Sequence, residues 1–452
     1  MISNLYLTDT NIYYKMRRNI LAIFILIFSL SGIYAQKVLT LNDALQTGLK
    51  NNFDIKIIRN QAQISKNNDN IGTAGYLPTL EADGGINQSV QNINQHYSTG
   101  AEQIKNNAQT SNISAGIELD WTIFNGFLMF GNKEQLSAFD RAGMLFYRNQ
   151  VEISSDSIIS AYYSIVRIQQ LIKLQNESIK ISSAKLEVAK TKFDIGSASK
   201  LDYLQSKVDL NADSTLLLKQ MVSLKKSKEN LKYFIGIKDT NDFIVGDTIT
   251  LQPIFSYATL QNLALQQNNQ ILALNEQKNA ALAGIKQAKS YSYPSIALSS
   301  RYNFSNSVAQ AGFVLINQAV GLNYGASARW NIFEGGTIRT NIANAKINSE
   351  NADLSYDQTV QVINTQLASS FEDYITNNTL IKLVKDNLKF AVENLDIATE
   401  SYKIGKINMI DYRTAQLGYV NAYTNLFTAI YSAKNSELNL MRLTGQISKE
   451  AQ

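Results

Sequence analysis

The chain has 452 residues and a formal net charge of +5, with one histidine, no cysteine and three prolines. A charge this close to neutral at this length excludes the basic surface typical of nucleic-acid-binding proteins. Because cysteine is absent and His96 is the one histidine, a zinc or iron site would need carboxylate ligands alone, and no metal or other cofactor is predicted. The sequence also lacks a phosphate-binding loop, a dinucleotide fingerprint and a nucleophile elbow.

Residues 1–35 are predicted to be an upstream extension followed by a signal peptide. Met16 precedes two arginines, an apolar run covers residues 20–30, and Ala35 provides a small residue before the expected cleavage site. The apolar run is shorter than a helix that crosses a bilayer, which disfavours the alternative of a membrane anchor. The mature chain is therefore expected to be exported and to begin at Gln36.

The mature chain is an internal duplication, with repeat 1 over residues 36–245 and repeat 2 over residues 246–452. Trp121-Thr122-Ile123-Phe124-Asn125-Gly126 recurs in repeat 2 as Trp330-Asn331-Ile332-Phe333-Glu334-Gly335. Nearer the start of each repeat, Pro78 matches Pro294. These two prolines are farther apart in the sequence than Trp121 and Trp330 are. The difference arises within residues 91–111 and 305–319, which are therefore predicted to be loops.

Each repeat is predicted to contain one very long helix, over residues 128–195 and 337–404. Apolar residues recur every seven positions in both, as Val151, Ile158, Ile165, Ile172, Ile179, Leu186 and Phe193, and as Val360, Leu367, Tyr374, Ile381, Leu388, Leu395 and Tyr402. This spacing makes a helix coil around a neighbouring helix. Helices of this length extend about 100 Å. A plain two-stranded coiled coil is the alternative interpretation.

Two shorter helices complete the helical part of each repeat. Return helices are predicted over residues 199–235 and 408–443, after a turn that contains glycine. A first helix is predicted at the start of each repeat, over about 40–74 and 257–289, and a proline follows it. The return helix and the first helix are each about half as long as the long helix, so together they would match its length.

Two strands are predicted between the first helix and the long helix of each repeat. They cover about residues 79–90 and 112–124 in repeat 1, and 295–304 and 320–333 in repeat 2. Apolar and polar residues alternate along them, which gives a sheet with one apolar and one polar face. A soluble sheet and a transmembrane barrel both show this pattern, but the strands are long enough to cross a bilayer when tilted.

Aromatic residues favour the membrane interpretation. Trp121, Phe124, Trp330 and Phe333 lie at the strand ends nearest the long helices, as in an interfacial belt. Glu118, Asp120 and Arg329 alternate with apolar residues and would face a water-filled lumen.

Four strands cannot close a barrel, and open edges are not tolerated in lipid, so chains must share a barrel. Two chains give an eight-stranded barrel, and side chains largely fill the interior of a barrel of that size. Three chains give twelve strands around a lumen. The sequence therefore favours a homotrimeric α+β membrane protein with four transmembrane strands per chain.

This order of elements resembles the outer membrane efflux protein family, the TolC-like channels. The resemblance covers essentially everything after Gln36 and depends on the recurrence, in both repeats, of Trp-x-x-Phe-x-Gly and of a Gly-x-x-x-x-x-Asp turn. It implies a trimer with a twelve-stranded barrel in the outer membrane and a periplasmic α-helical barrel. It also implies a periplasmic adaptor and an inner-membrane transporter as partners, the role of exit duct in tripartite efflux or type I secretion, and no enzymatic activity.

The resemblance also implies roles for particular residues. Asp202, Tyr402 and Asp411 match the family's periplasmic gate, whereas Ile407 and Thr414 depart from it, so a gate without its ion pair is expected. The turns at Gly196 and Gly405 match the adaptor-contacting tips, and both glycines are expected to take positive φ.

Two alternative functions come from other classes of protein. One is an exported coiled-coil scaffold without channel activity, which does not account for the aromatic residues at the strand ends. The other is an exported enzyme that uses Glu118 and Asp120, which share a strand face and are explained more simply as lumen lining.

Overall fold

The computed structural model describes residues 37–238, 242–254 and 256–447. The predicted upstream extension and signal peptide lie outside these residues. Repeat 1 contains β1 (Lys37–Leu39), α1 (Leu41–Asn51), α2 (Phe53–Asn68), β2 (Thr79–His96), β3 (Glu102–Asn125), α3 (Leu128–Asp194), α4 (Lys200–Ile235) and β4 (Phe243–Val245). Repeat 2 contains α5 (Tyr257–Gln267), α6 (Asn269–Ser290), β5 (Ser295–Ala309), β6 (Ile316–Arg329), α7 (Thr337–Lys403) and α8 (Met409–Leu443).

The two long helices, α3 and α7, have 67 residues each and organise the helical body. In the half nearest the sheet, α2 packs on α3, α3 on α6, and α6 on α7. In the other half, α4 packs on α3, α3 on α8, and α8 on α7. The body is therefore a row of four helices in each half, with α2 or α4 at one edge and α7 at the other. Among the described helices, none is both long and apolar enough to cross a membrane.

The first helix of each repeat is broken, which corrects the prediction of one helix over about 40–74 and over 257–289. The breaks are at Asn52 and Asn268, which are both buried. Asn268 Oδ1 accepts a hydrogen bond from the backbone N–H of Ile271 at 3.1 Å, and its Nδ2 donates to the carbonyl of Leu443 at 3.0 Å. Asn52 makes the equivalent pair of bonds. Each asparagine therefore starts one helix and satisfies the buried C-terminal end of another.

Glycine lets the return helices end against these breaks. Gly236 and Gly445 follow α4 and α8 with φ of 67° and 69°. A Cβ atom on either would lie 2.6 Å from a carbonyl oxygen, that of Asn51 or Gln267. Because α4 ends where α2 begins, and α8 where α6 begins, the two short helices together match the length of the long helix.

A belt of short elements surrounds the middle of the helical body. β1 pairs in parallel with β4, and the buried Tyr162 hydroxyl of α3 hydrogen bonds to the carbonyl of Leu39 and to Asp247. The main hydrophobic core lies under this belt and joins apolar residues of α1, α3, α4, β4 and α8.

The sheet is antiparallel, with strand order β2-β3-β5-β6. Its hairpins are longer than predicted, because most of residues 91–111 and 305–319, which were predicted as loops, continue the strands. The prediction was wrong at the end of β6 as well. That strand stops at Arg329, and Trp330 to Phe333 lie beyond it and are exposed.

We expect Asn268→Ala to lower the free energy of unfolding by about 1–3 kcal/mol, because it removes a buried helix cap and leaves the Leu443 carbonyl unpaired. Asn408 is the matched control, since it caps α8 at an exposed position by accepting from the Asp411 N–H. Asn408→Ala should cost about 1 kcal/mol or less. Chemical denaturation followed by circular dichroism measures both, and equal costs would contradict the role given to Asn268.

Candidate functional site

The sheet has one polar face and one mainly apolar face. Strand register places Glu118 opposite Arg301, Asp120 opposite Ser299, and Arg329 opposite Ser295. Since directly opposed residues point to the same side, these polar residues share one face. The other face carries large apolar side chains that are exposed in the single chain: Leu80, Ile86, Val90, Ile113, Ile117, Tyr302, Val320, Leu322 and Tyr324. A contiguous apolar surface of this extent is typical of contact with lipid or another protein.

An arginine that the sequence did not single out organises the charges on the polar face. Arg301 contacts Glu118 at 2.5 Å and Asp83 at 2.6 Å, and so joins three strands. The guanidinium lies over Gly116, where a Cβ atom would be 2.9 Å from it. Glu118, which was predicted on this face, and Asp83 are therefore partly neutralised by a residue of repeat 2.

The aromatic residues lie where the strands meet the helices. The indole N–H of Trp121 donates to the carbonyl of Tyr76, and that of Trp330 donates to the carbonyl of Ser292. Phe124 packs against Phe127 with ring centroids 5.1 Å apart. The two repeats thus anchor their tryptophans in the same way.

The far ends of the helical body are two hairpin tips with the same geometry. Gly196 and Gly405 adopt φ of 76° and 77°, as predicted, and end the long helices. At each tip a backbone N–H just beyond the glycine reaches back to a carbonyl of the long helix, Ser197 to Lys192 and Lys406 to Ser401, both at 2.8 Å. This arrangement is a Schellman motif, which leaves the tips compact and exposed.

The three predicted gate residues lie near these tips. Asp202 is in the first turn of α4, and its carboxylate accepts hydrogen bonds from Ser199. Asp411 is in the first turn of α8. The ring of Tyr402 stacks on that of Tyr412 at 5.1 Å. Burial raises the pKa of Tyr402, and the negative charge of Asp202 raises it further. In the described part of the chain these two residues are close but are not hydrogen bonded to each other.

A buried cluster of charged residues joins the two helical hairpins, which are α3 with α4 and α7 with α8. The sequence did not predict this cluster. Arg413 of α8 forms a bidentate contact with Asp213 of α4, at 2.8 and 2.9 Å. Lys185 of α3 pairs with Asp209 of α4. Gln416 of α8 donates to Ser182 of α3 at 2.8 Å. An ion pair between the repeats therefore exists, but at Arg413 and not at the position of Ile407.

The cluster is mutually compensating. Lys185, Asp209 and Asp213 are almost fully buried. Burial acts to raise the pKa of Asp209, but the hydrogen bond and charge of Lys185 outweigh it, so the pKa lies below its usual range. A lowered carboxylate pKa stabilises the folded chain above the ordinary aspartate range, and that contribution is lost as the pH falls through the lowered pKa. The charge of Asp209 therefore helps to hold α4 against α3 at neutral pH, while Arg413 and Asp213 link the two repeats.

We expect Arg413→Met to destabilise the chain by about 3–5 kcal/mol, because it leaves a buried carboxylate without its cation. Arg413→Met combined with Asp213→Asn should cost less than Arg413→Met alone, since both charges are then removed. Unfolding free energies of the two single variants and the double variant form a double-mutant cycle. Additive costs would show that the two side chains do not interact.

Comparison with known proteins identifies the fold. The family model described as "Outer membrane efflux protein" matches residues 260–446. The chain is 22% identical to nodulation protein T of Rhizobium leguminosarum bv. trifolii, over 83% of this chain and 79% of that protein. It is 21% identical to the toluene efflux pump outer membrane protein TtgC of Pseudomonas putida, over 90% of this chain and 82% of that protein.

A solved structure agrees with these relatives. The CmeC outer membrane channel of Campylobacter jejuni superposes with a TM-score of 0.77 at 18% identity, over 91% of this chain and 88% of that one. Residues 260–446 therefore match the outer membrane efflux protein family, and the chain has the fold of TolC-like outer membrane channels. The relatives are outer membrane efflux channels with a large periplasmic helical portion, and such channels are not enzymes.

Proposed function

We propose that three copies of the chain form the outer-membrane exit duct of a tripartite efflux or type I secretion system. The observation that carries this proposal is the exposed apolar face of a sheet whose two outer strands, β2 and β6, each have one unpaired edge among the described residues. A sheet that faces lipid cannot leave an edge unpaired. Closure between copies pairs every edge, and twelve strands enclose a water-filled lumen lined by the polar face.

The helical body supports the same closure. Its two edges are α2 or α4 on one side and α7 on the other, and they lie below β2 and β6 respectively. A ring of three copies therefore closes the sheet and both halves of the body by one operation. The result is a barrel in the membrane continued by a tube of helices in the periplasm.

The hairpin tips are the ends of the duct farthest from the membrane. In this arrangement the turns at Gly196 and Gly405 face an inner-membrane transporter and its periplasmic adaptor, and they are exposed and open. Asp202, Tyr402 and Asp411 lie beside them and form the periplasmic gate. Toluene efflux is named for one relative, and we propose that this chain likewise exports cargo that a pump delivers.

The two faces of β6 give a matched test of the barrel. Leu322→Arg should lower stability by about 2–4 kcal/mol, because it places a charge in lipid. Gly321→Arg, at the adjacent position on the polar face, should fold, because nothing lies within 4 Å of a Cβ atom there among the described residues. It should reduce single-channel conductance, because the polar face lines the proposed lumen. Heat stability of the trimer on gels and planar-bilayer recordings measure both effects. Equal tolerance of the two arginines would contradict the assignment of the faces.

The proposed gate should make the channel sensitive to block by multivalent cations. Three Asp411 carboxylates around one opening would attract a multivalent cation. We expect a trivalent cation added from the periplasmic side to block single-channel current, and Asp411→Ala to abolish the block. Asp202→Ala is the control on the other return helix, and it should keep the block while raising the resting conductance. A block that persists in Asp411→Ala would place Asp411 outside the constriction.

A further inference from the structure

The two hairpins of the sheet differ in length. β2 and β3 have 18 and 24 residues, whereas β5 and β6 have 15 and 14. The additional residues belong to repeat 1, because Pro78 and Trp121 are farther apart in the sequence than Pro294 and Trp330 are. In the proposed duct both hairpins end on the extracellular side, opposite the helical body. The extension of the β2–β3 hairpin therefore lies at the mouth of the duct.

The β2–β3 hairpin bends part of the way along its length. Regular pairing continues to Gln91 with Ala108, and the register then shifts. Just beyond this point Asn107 has a φ of 55°, and its backbone N–H donates to Asn92 Oδ1 at 2.9 Å. A bulge of this kind bends a strand, and asparagine tolerates a positive φ better than most residues. Residues 93–105, which we call the distal hairpin, therefore turn away from the line of the sheet.

The distal hairpin is attached to the turn between β5 and β6. Gln103 Oε1 accepts a hydrogen bond from the backbone N–H of Gly312 at 3.1 Å. Lys105 Nζ donates to the carbonyl of Gln310 at 2.8 Å. The extension of repeat 1 thus rests on the shorter hairpin of repeat 2.

An aromatic contact adds to this attachment. The ring of Tyr97 packs edge-on against that of Phe313, with centroids 5.6 Å apart, and its hydroxyl donates to Gln103 at 2.6 Å. The two faces of the distal hairpin differ accordingly. One face is half-buried and the other is exposed, and they carry Ile93, Gln95, Tyr97, Gln103 and Lys105, and Asn94, His96, Glu102 and Ile104, respectively.

Burial shows on which side of the sheet the distal hairpin lies. Ala108 is on the polar face, because an even number of residues separates it from Glu118 along β3. It is nevertheless only 1% exposed. At the same level of the apolar face, Gln109 is exposed and Val308 is 42% exposed. The segment that covers Ala108 therefore lies on the polar side, and the distal hairpin is the extension that follows this bend.

We propose that the distal hairpin is a lid that folds into the extracellular end of the lumen and limits the size of what leaves the duct. This inference rests on the proposed duct, because only there does the polar face enclose a lumen. Each copy would contribute one lid, with its bend at Asn92 and Asn107 and its seat on the β5–β6 turn.

The kind of attachment suits a lid that opens. Hydrogen bonds and one pair of aromatic rings hold the distal hairpin on its seat, and each such contact is individually weak. The contact between His96 and Glu102, at 3.5 Å, lies within the hairpin and does not attach it. Segments held by few contacts open locally while the rest of a protein stays folded.

Engineered cysteines test the lid, because the chain has none of its own. Ala319 opposes Ser305 on the polar face, and Val320 is the adjacent residue on the apolar face. Intact cells that carry Ala319→Cys are treated from outside with a small, charged maleimide or with a maleimide on a long polyethylene glycol chain. The small reagent should label the cysteine readily and the polymer slowly, because the lid narrows the mouth.

Releasing the lid should remove this discrimination by size. Adding Tyr97→Ala, Gln103→Ala and Lys105→Ala to Ala319→Cys should raise the rate of polymer labelling by about tenfold or more, since each lost hydrogen bond favours the open lid several-fold. The matched control is His96→Ala with Glu102→Ala, on the exposed face of the same hairpin, and it should leave the rate unchanged.

The failure of the lid is distinguishable from the failure of the proposed duct. Val320→Cys should resist the small reagent, because lipid covers it in the duct. If the small reagent labels Ala319→Cys but not Val320→Cys, and polymer labelling is the same with and without the release substitutions, the lid is overturned and the duct stands. If the small reagent labels both cysteines alike, the polar face does not enclose a lumen, and the duct fails together with its lid.

Discussion

Pairing of the backbone at the two open edges of the sheet is the constraint on which the rest of the structure depends. β2 and β6 each hydrogen bond to one neighbour, while the sheet exposes an apolar face that suits lipid. Lipid offers no partner for a free N–H or C=O. In the proposed assembly copies of the chain satisfy both conditions, and each contact is head to tail because β6 of one copy meets β2 of the next. Such contacts form a ring when the rotation closes.

The helical body follows from the same duplication. Each repeat supplies one helix of full length and two shorter helices that meet at a buried asparagine. Asn52 and Asn268 satisfy helix ends that would otherwise be buried without partners. The four-helix row is therefore continuous from the sheet to the tips, although only two of its helices are. The ion pairs of Arg413 with Asp213 and of Lys185 with Asp209 lie inside one chain. Breaking one partner of a buried ion pair is costly, although such pairs add little net stability compared with apolar packing. Arg413 and Asp213, which join the two repeats, therefore set the register of the two helical hairpins and add little net stability.

Much of this could be predicted from the sequence, because the main signals are periodic and occur twice. Alternation placed Glu118, Asp120 and Arg329 on one face of the sheet, and the heptads indicated the long helices. Contacts between distant segments left no such signal. Asn52 fits a helical pattern in the sequence, and only the fold brings the carbonyl of Phe234 within hydrogen-bond distance of it. Arg413 likewise contacts Asp213, which lies on a helix of the other repeat. The loops predicted at 91–111 and 305–319 were wrong because a difference in length locates an insertion without excluding strand structure. The predicted end of β6 was wrong because a strand over residues 330–333 needs a neighbouring strand to pair with. The described segments of one chain do not provide that neighbour.

Cryo-electron microscopy of the purified protein in lipid nanodiscs would test the central claim most directly. The expected map shows three copies, a twelve-stranded barrel in which β6 of each copy pairs with β2 of the next, and residues 330–333 drawn into that pairing. A map with separate four-stranded sheets, or with β2 and β6 paired to anything other than neighbouring copies, would contradict the claim.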